Sequence, residues 1–260
     1  PSRLETPEEL PFGYTSHLVS ALDIAPELVY DTKGPLGIAD LKTIPASFPR
    51  LRFPAFTPGM PKGLETTKDV FSAIAEKDII LFTPYQSFDA FVNFLRAAGE
   101  DADVSEIFIT LYRLGSDSPV ADALISAAEA GKKVTAVVEL KASFDEERNF
   151  LWSKKLEKAG VEVKFGISDL KTHAKCCLVS RKEGGEKRYY ASVSSGNYNA
   201  GTARMYSDLS LFTADERICR DIRKLFSQID EGKISGGFES IFCKIFFLGL
   251  YDAGNVVLLL

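Results

Sequence analysis

Lys171-Thr172-His173-Ala174-Lys175-Cys176-Cys177-Leu178-Val179 is the stretch on which the reading of this chain turns. Its apolar half, Cys176 to Val179, has the composition of a buried strand, and the polar residues before it lie at the strand's mouth. Alternation along an extended backbone would put His173 and Lys175 on one face, about 6.6 Å apart. A titratable nucleophile then stands beside a fixed positive charge, which is what attack on a phosphate needs. A plain strand start with polar residues at its mouth would look the same over so short a motif. The flanking sequence decides between the two.

Downstream come Ser194-Ser195-Gly196-Asn197-Tyr198-Asn199 and Thr202-Ala203-Arg204-Met205-Tyr206-Ser207-Asp208. A His-x-Lys strand followed by a Ser/Gly-x-Asn turn resembles the half-site of the phospholipase D-like architecture. The full string is similar to one branch of it. Leu111-Tyr112-Arg113, Asp117-Ser118-Pro119, Val138-Glu139-Leu140-Lys141-Ala142, Phe144-Asp145-Glu146-Glu147, Leu170 to Lys175 and Gly196-Asn197-Tyr198-Asn199 resemble the long-chain polyphosphate kinase family. Upstream, Gly34-Pro35-Leu36-Gly37, Phe56-Thr57-Pro58 and Pro84-Tyr85-Gln86-Ser87-Phe88-Asp89 fit the same family in the same order. The resemblance runs from about residue 5 to residue 228.

Composition sets looser bounds. A chain of 260 residues with 45% hydrophobic and 26% charged residues is ordinary globular material, holding one large domain or two small ones. The net charge of −5 does not by itself suggest a polyanion ligand. Between residues 171 and 204, however, seven Lys/Arg face only Glu183 and Glu186. A basic enclave on an acidic protein suits a phosphate-rich substrate better than a nucleic-acid surface. Arg181 to Arg188, interrupted by Gly184-Gly185, reads instead as a solvated hairpin. Cys176, Cys177, Cys219 and Cys243 lack metal-ligand spacing and read as reduced core thiols of an intracellular protein. Pro1-Ser2-Arg3-Leu4-Glu5 does not read as a signal peptide. The apolar end, 241–260, is broken by Lys244 and Asp252 and is too short in its runs to span a bilayer.

Ten of the twelve prolines fall in the first 61 residues, so 1–64 reads as a Pro-rich extension with one helix near 7–21. Regular α/β patterning occupies 65–230. Helices are expected at 89–98, from Ser118-Pro119 to Gly131, at 145–159 and at 214–229, the last opened by a capping box Thr213-Ala214-Asp215-Glu216. Strands are expected at 107–111, 133–140, 161–165, 174–180, 188–193 and 208–212. The pattern implies an α/β fold, a mixed sheet with helices on both faces and the active loops at one edge. The family resemblance makes that sheet phospholipase D-like. Residues 231–260 read as an atypical apolar tail that packs poorly on the body, so that truncation near Asp230 leaves stability unchanged.

The resemblance implies reversible transfer of the terminal phosphate of ATP to inorganic polyphosphate, with Mg²⁺ entering on the nucleotide. It places a phosphohistidine at His173. Lys175, Asn197, Arg113 and Arg204 bind phosphate, with backbone donors around Gly196 and Asn197 assisting. Arg113 belongs to the family's Mg²⁺–phosphate site, and Tyr206 matches a nucleotide-contacting tyrosine. Asp208 would orient a second acid–base residue where one is present. Ordinary structural roles remain open for these residues: a surface ion pair with Asp117 or Glu139 for Arg113, a core hydroxyl for Tyr206. The implied partners are ATP, ADP and polyphosphate in the cytoplasm, with no nucleic acid and no membrane span; the intact family protein is expected to be a homo-oligomer.

Three positions depart from the patterns. Ser143 stands where the family has a second arginine, a loss of about 1.5–3 kcal/mol in phosphate binding for a charge-assisted bond. Ser180 stands where phospholipase D enzymes carry an aspartate, which argues against the alternative of a phosphodiesterase. The family's second functional histidine belongs to a following domain, and the only other histidine here, His17, reads as an exposed residue of the N-terminal helix. A third reading is an inactive module that binds polyphosphate or serves assembly.

Overall fold

The structure, a computed structural model, describes residues 3–8, 10–65, 69–140, 146–167, 171–240, 242–245 and 255–259. It divides into two compact units, Pro1–Thr57 and Pro58–Leu260. The first pairs strand β1 (Leu4–Pro7) in parallel with β2 (Val29–Thr32) and carries helices α1 (Phe12–Leu22) and α2 (Ile44–Ser47). Helix α1 begins five residues later than the sequence suggests, because Pro7 is spent in β1 and Pro11 holds an extended backbone before the first turn. His17 on it is exposed.

In the second unit the chain runs through α3 (Val70–Glu76), β3 (Ile79–Thr83), α4 (Asp89–Glu100), β4 (Val104–Leu111), α5 (Pro119–Glu129), β5 (Lys133–Val138) and α6 (Glu146–Lys158). There follow β6 (Glu162–Lys164), a two-residue β7 (Lys171–Thr172), β8 (Cys176–Glu183), β9 (Glu186–Ser194), β10 (Asp208–Thr213), α7 (Glu216–Asp230), β11 (Phe242–Ile245) and β12 (Asn255–Leu259). Seven strands form one mixed sheet in the order β3-β10-β9-β8-β4-β5-β6. β4, β5 and β6 are parallel, the others antiparallel. The sequence reading named no element between 65 and 88, where α3 and β3 lie.

Local chemistry fixes the boundaries. The Ser118 hydroxyl accepts the Ala121 N–H at 3.1 Å with Pro119 in the first turn, so α5 starts where the sequence places it. Gly184 and Gly185 both take positive φ, 58° and 92°, in the two-residue turn that joins β8 to β9. At α7 the cap is Asp215 and not Thr213: its carboxylate accepts the Arg217 and Ile218 N–H groups, while the Thr213 hydroxyl accepts the Asp215 N–H. A carboxylate is the better mate for a helix's positive end.

Helices cover both faces of the sheet. Phe71, Phe91, Leu95, Leu124 and Leu156 from α3 to α6 pack on one side, and Cys219, Ile222 and Leu225 of α7 pack against Leu178, Ala191 and Val193 on the other. The stretch after α7 departs from its expected loose packing. Ile234 and Phe238 lie against the α7 core, the buried Gln228 amide bonds Ser235 and Gly236, and the buried Asp221 carboxylate accepts the N–H groups of Glu239 and Ser240. Gly232, Gly236 and Gly237, three glycines in six residues, break the helix here, as anticipated, but they serve a return of the chain along α7. Farther on, β12 pairs with β11 and, in parallel, with β7, while 246–254 lie outside the described residues.

Candidate active site

Antiparallel pairing brings four strand ends to one edge of the sheet. The end of β4 abuts the start of β8 (Ile109 opposite Cys177), the end of β9 lies beside it (Val193 opposite Cys176), and β10 begins next to that (Ser210 opposite Ser194). The segments leaving these ends carry Tyr112-Arg113, His173-Ala174-Lys175, Ser194 to Asn199 and Asp208.

Residues 173–175 lie between β7 and β8 and belong to neither strand. The buried Thr110 hydroxyl takes over the local backbone bonding, donating to the Ala174 carbonyl at 2.7 Å and accepting the Cys176 N–H at 3.0 Å. Lys175 then folds back on its own segment. Its Nζ lies 2.8 Å from His173 Nε2 and donates to the His173 carbonyl at 2.8 Å. The Tyr112 ring meets the imidazole edge to face, with centroids 4.8 Å apart, and lies 5.3 Å from the Lys175 ammonium.

Lys175 is only 5% exposed. Burial pushes its ammonium from 10.5 down to about 7; the nearby Asp208 carboxylate pulls upward and Arg113 adds to the depression. The Lys175 ammonium can therefore give up its proton near neutrality. An arriving anion would favour the ammonium.

The loop after β9 is bound into this edge. Ser194 N–H donates to the Lys175 carbonyl at 2.9 Å, and the buried Tyr198, stacked on Phe91 at 4.0 Å, donates to the carbonyls of Ser192 and Lys175. Asn199 Nδ2 donates to the Arg113 carbonyl at 3.1 Å, so the turn also holds the β4 end. Asn197 is half-buried, and its Oδ1, among the described residues, is a buried acceptor with no hydrogen-bond partner. Such an atom is costly unless a donor reaches it. The Gly196 N–H is not a free donor, as the sequence reading had it: it is spent on the Ser194 hydroxyl at 3.1 Å. Gly196 is required by the approach of Asp208, whose Cγ lies 2.5 Å from where a β-carbon would stand. The Ser195 hydroxyl donates to Asp208 Oδ1 at 2.7 Å.

The remaining expectations divide. Arg113 is half-buried beside Tyr112, at this edge. Arg204 and Tyr206 are exposed on the segment before β10, and no hydrogen bond among the described residues ties either to His173 or Lys175. Ser143 lies outside the described residues. Ser180 is fully buried in β8, its hydroxyl 3.4 Å from that of Ser105. The basic enclave is not one patch. Arg181, Lys187 and Arg188 lie toward the far end of the β8–β9 hairpin and pair with Asp101, Glu183 and Glu106. Thr110 went unnoticed in the sequence, and Tyr112 and Asn199 were read only as parts of the family resemblance; nothing local marks a residue at a strand end as a support for one sixty or more positions away.

The family profile for polyphosphate kinase C-terminal domain 1 matches residues 69–234. The chain belongs to the polyphosphate kinase family. It is 42% identical over 229 residues to the polyphosphate kinase of Pseudomonas syringae pv. tomato, covering 87% of this chain and 31% of that protein. The corresponding enzyme of Erythrobacter litoralis is 48% identical over 227 residues, 86% of this chain and 32% of that one. The crystal structure of polyphosphate kinase from Porphyromonas gingivalis superposes with a TM-score of 0.78 at 33% identity, over 93% of this chain and 37% of that chain. The chain thus spans about a third of the length of the relatives it matches. Its mixed sheet with helices on both faces is the α/β arrangement expected from the sequence. Among the described residues, no helix is long and apolar enough to cross a membrane.

No group of three His, Cys, Asp or Glu among the described residues could hold a metal ion, and Arg113 and Lys175 in their charged forms are donors only. They are suited to grip phosphate oxygens and not to ligate a cation.

Proposed function

We propose that this chain contributes the phosphate-accepting histidine of a polyphosphate kinase, with His173 Nε2 as the nucleophile, ATP as phosphate donor and polyphosphate as acceptor. The 2.8 Å contact between Lys175 Nζ and His173 Nε2 carries the proposal. It supports the reading, because a cation beside that ring nitrogen can hold the incoming phosphate.

A phosphate oxygen that replaces the imidazole as the Lys175 partner releases the Nε2 lone pair. Nε2 then attacks the terminal phosphorus of ATP, the N–P bond forms, the P–O bond to ADP breaks and ADP leaves. In the second half the terminal oxygen of a polyphosphate chain attacks that phosphorus, the N–P bond breaks and the neutral ring returns. Lys175, Arg113 and the Asn197 amide stabilise charge on the transferred group, where such reactions gain most of their rate. Magnesium enters as part of the nucleotide substrate. Arg204 and Tyr206 are proposed to reach the phosphates and the nucleotide from the exposed segment before β10. A diesterase reading has no support in the position of Ser180.

The test is incubation with γ-labelled ATP, or with labelled polyphosphate for the reverse direction. Acid-labile, base-stable label is expected on His173, lost in His173→Ala and kept in His17→Ala. Label that survives His173→Ala, or that is acid-stable, refutes the assignment.

A further inference from the structure

Two polar side chains beneath the site make no use of their chemistry in the mechanism above. Asn149 of α6 is 0% exposed, and Glu139, the residue after β5, is 6% exposed. Burying an amide and a carboxyl group is unfavourable unless their bonds are made, so what they bond is informative.

Asn149 Nδ2 donates to the Tyr112 carbonyl at 2.7 Å and to the Glu139 carbonyl at 2.9 Å, and its Oδ1 accepts the Leu114 N–H at 3.4 Å. Both amide hydrogens and one acceptor are thus placed on backbone groups where β4 and β5 run out. The partners on the β4 side, Tyr112 and Leu114, flank Arg113. Glu139 completes the link. Its N–H donates to the Leu111 carbonyl at 2.9 Å, and its Oε2 accepts the N–H of Thr172, the residue before His173, at 2.7 Å.

We infer that Asn149 and Glu139 are positioning residues: together they set the backbone on which His173 and Arg113 stand and the ring of Tyr112 against the imidazole. The inference rests on the functional reading above. The ladder of the seven-stranded sheet does not reach these residues, because β4 and β5 stop at Leu111 and Val138 and the two-residue β7 pairs with β12 outside that sheet. Side-chain bonds to the backbone replace the ladder there. Displacement of a nucleophile by about 1 Å lowers a transfer rate about 100-fold, so loss of either support should be read at His173 before it is read in overall stability.

The chain has two histidines, and exposed His17 serves as an internal reference. Three variants of the full chain, Glu139→Gln, Glu139→Leu and Asn149→Asp, are treated with phosphoramidate, which phosphorylates histidine without ATP. The ratio of label at His173 to label at His17 is read by peptide mapping, and the ring signals are followed by NMR. Glu139→Gln keeps an acceptor for Thr172 and should retain the wild-type ratio and ring shift. Glu139→Leu has no acceptor, and Asn149→Asp sets an acceptor against two carbonyls; both should displace the His173 signal and lower the ratio about tenfold or more.

Wild-type ratios in folded Glu139→Leu and Asn149→Asp overturn the inference. If those two fail to fold, Glu139→Gln decides: a displaced His173 signal in that folded variant overturns it, and an unmoved one supports it. ATP labelling of the wild-type chain is scored separately, so failure of the phosphohistidine reading is not confused with failure of this one.

Discussion

Replacing Lys175 by methionine tests whether the site is as desolvated as the geometry requires. The ammonium is buried to 5% exposure against His173, with Asp208 and Arg113 the nearby charges, and titrates at about 7 when folded against 10.5 in an unfolded chain. Each unit is about 1.4 kcal/mol, so the folded protein forfeits about 5 kcal/mol when it must hold the charged form. The sign follows from proton binding. Below about pH 7 both states carry the proton and the cost is complete. Between about 7 and 10.5 the unfolded state binds more, so stability rises with pH; above 10.5 it is fully recovered. Urea unfolding of both proteins from pH 6.5 to 9.5 should show wild type gaining about 3 kcal/mol relative to Lys175→Met, since titrating groups away from this site cancel in the comparison. Adding tripolyphosphate should flatten the difference, because an anion on Lys175 restores its ordinary affinity for the proton. Parallel pH curves for the two proteins would refute the buried ammonium, and with it the arrangement proposed for attack.

Two other outcomes are expected. Gly196→Ala puts a methyl 2.5 Å from Asp208 Cγ and 2.8 Å from its Cβ, so the carboxylate must leave the Ser195 hydroxyl; urea unfolding should register a loss of about 1–3 kcal/mol, and an unchanged midpoint would contradict the close approach. Ending the chain at Asp230 removes Ile234 and Phe238 from the α7 core and two N–H donors from Asp221, so the melting temperature should fall by about 4 °C or more; no change would restore the expectation of a loosely packed tail.

The sequence alone determined the α/β alternation, the caps and turns from Ser118 to Gly184-Gly185, the family, and the nearness of His173 to Lys175. These are legible because they depend on residues within a few positions of each other: a hydroxyl three residues from the N–H it caps, two glycines in a two-residue turn, a short motif before an apolar run. Tertiary structure decided the rest. Thr110, Glu139, Asn149 and Asn199 act on backbone groups between 10 and 86 residues away. The pairing of Asp208 with Gly196 and the role of 234–240 along α7 likewise follow from which strands and helices become neighbours. The meeting of His173 and Lys175 that alternation anticipated is made just before β8 begins, and its support is long-range: the buried Thr110 hydroxyl bonds the Ala174 carbonyl and the Cys176 N–H on either side of Lys175.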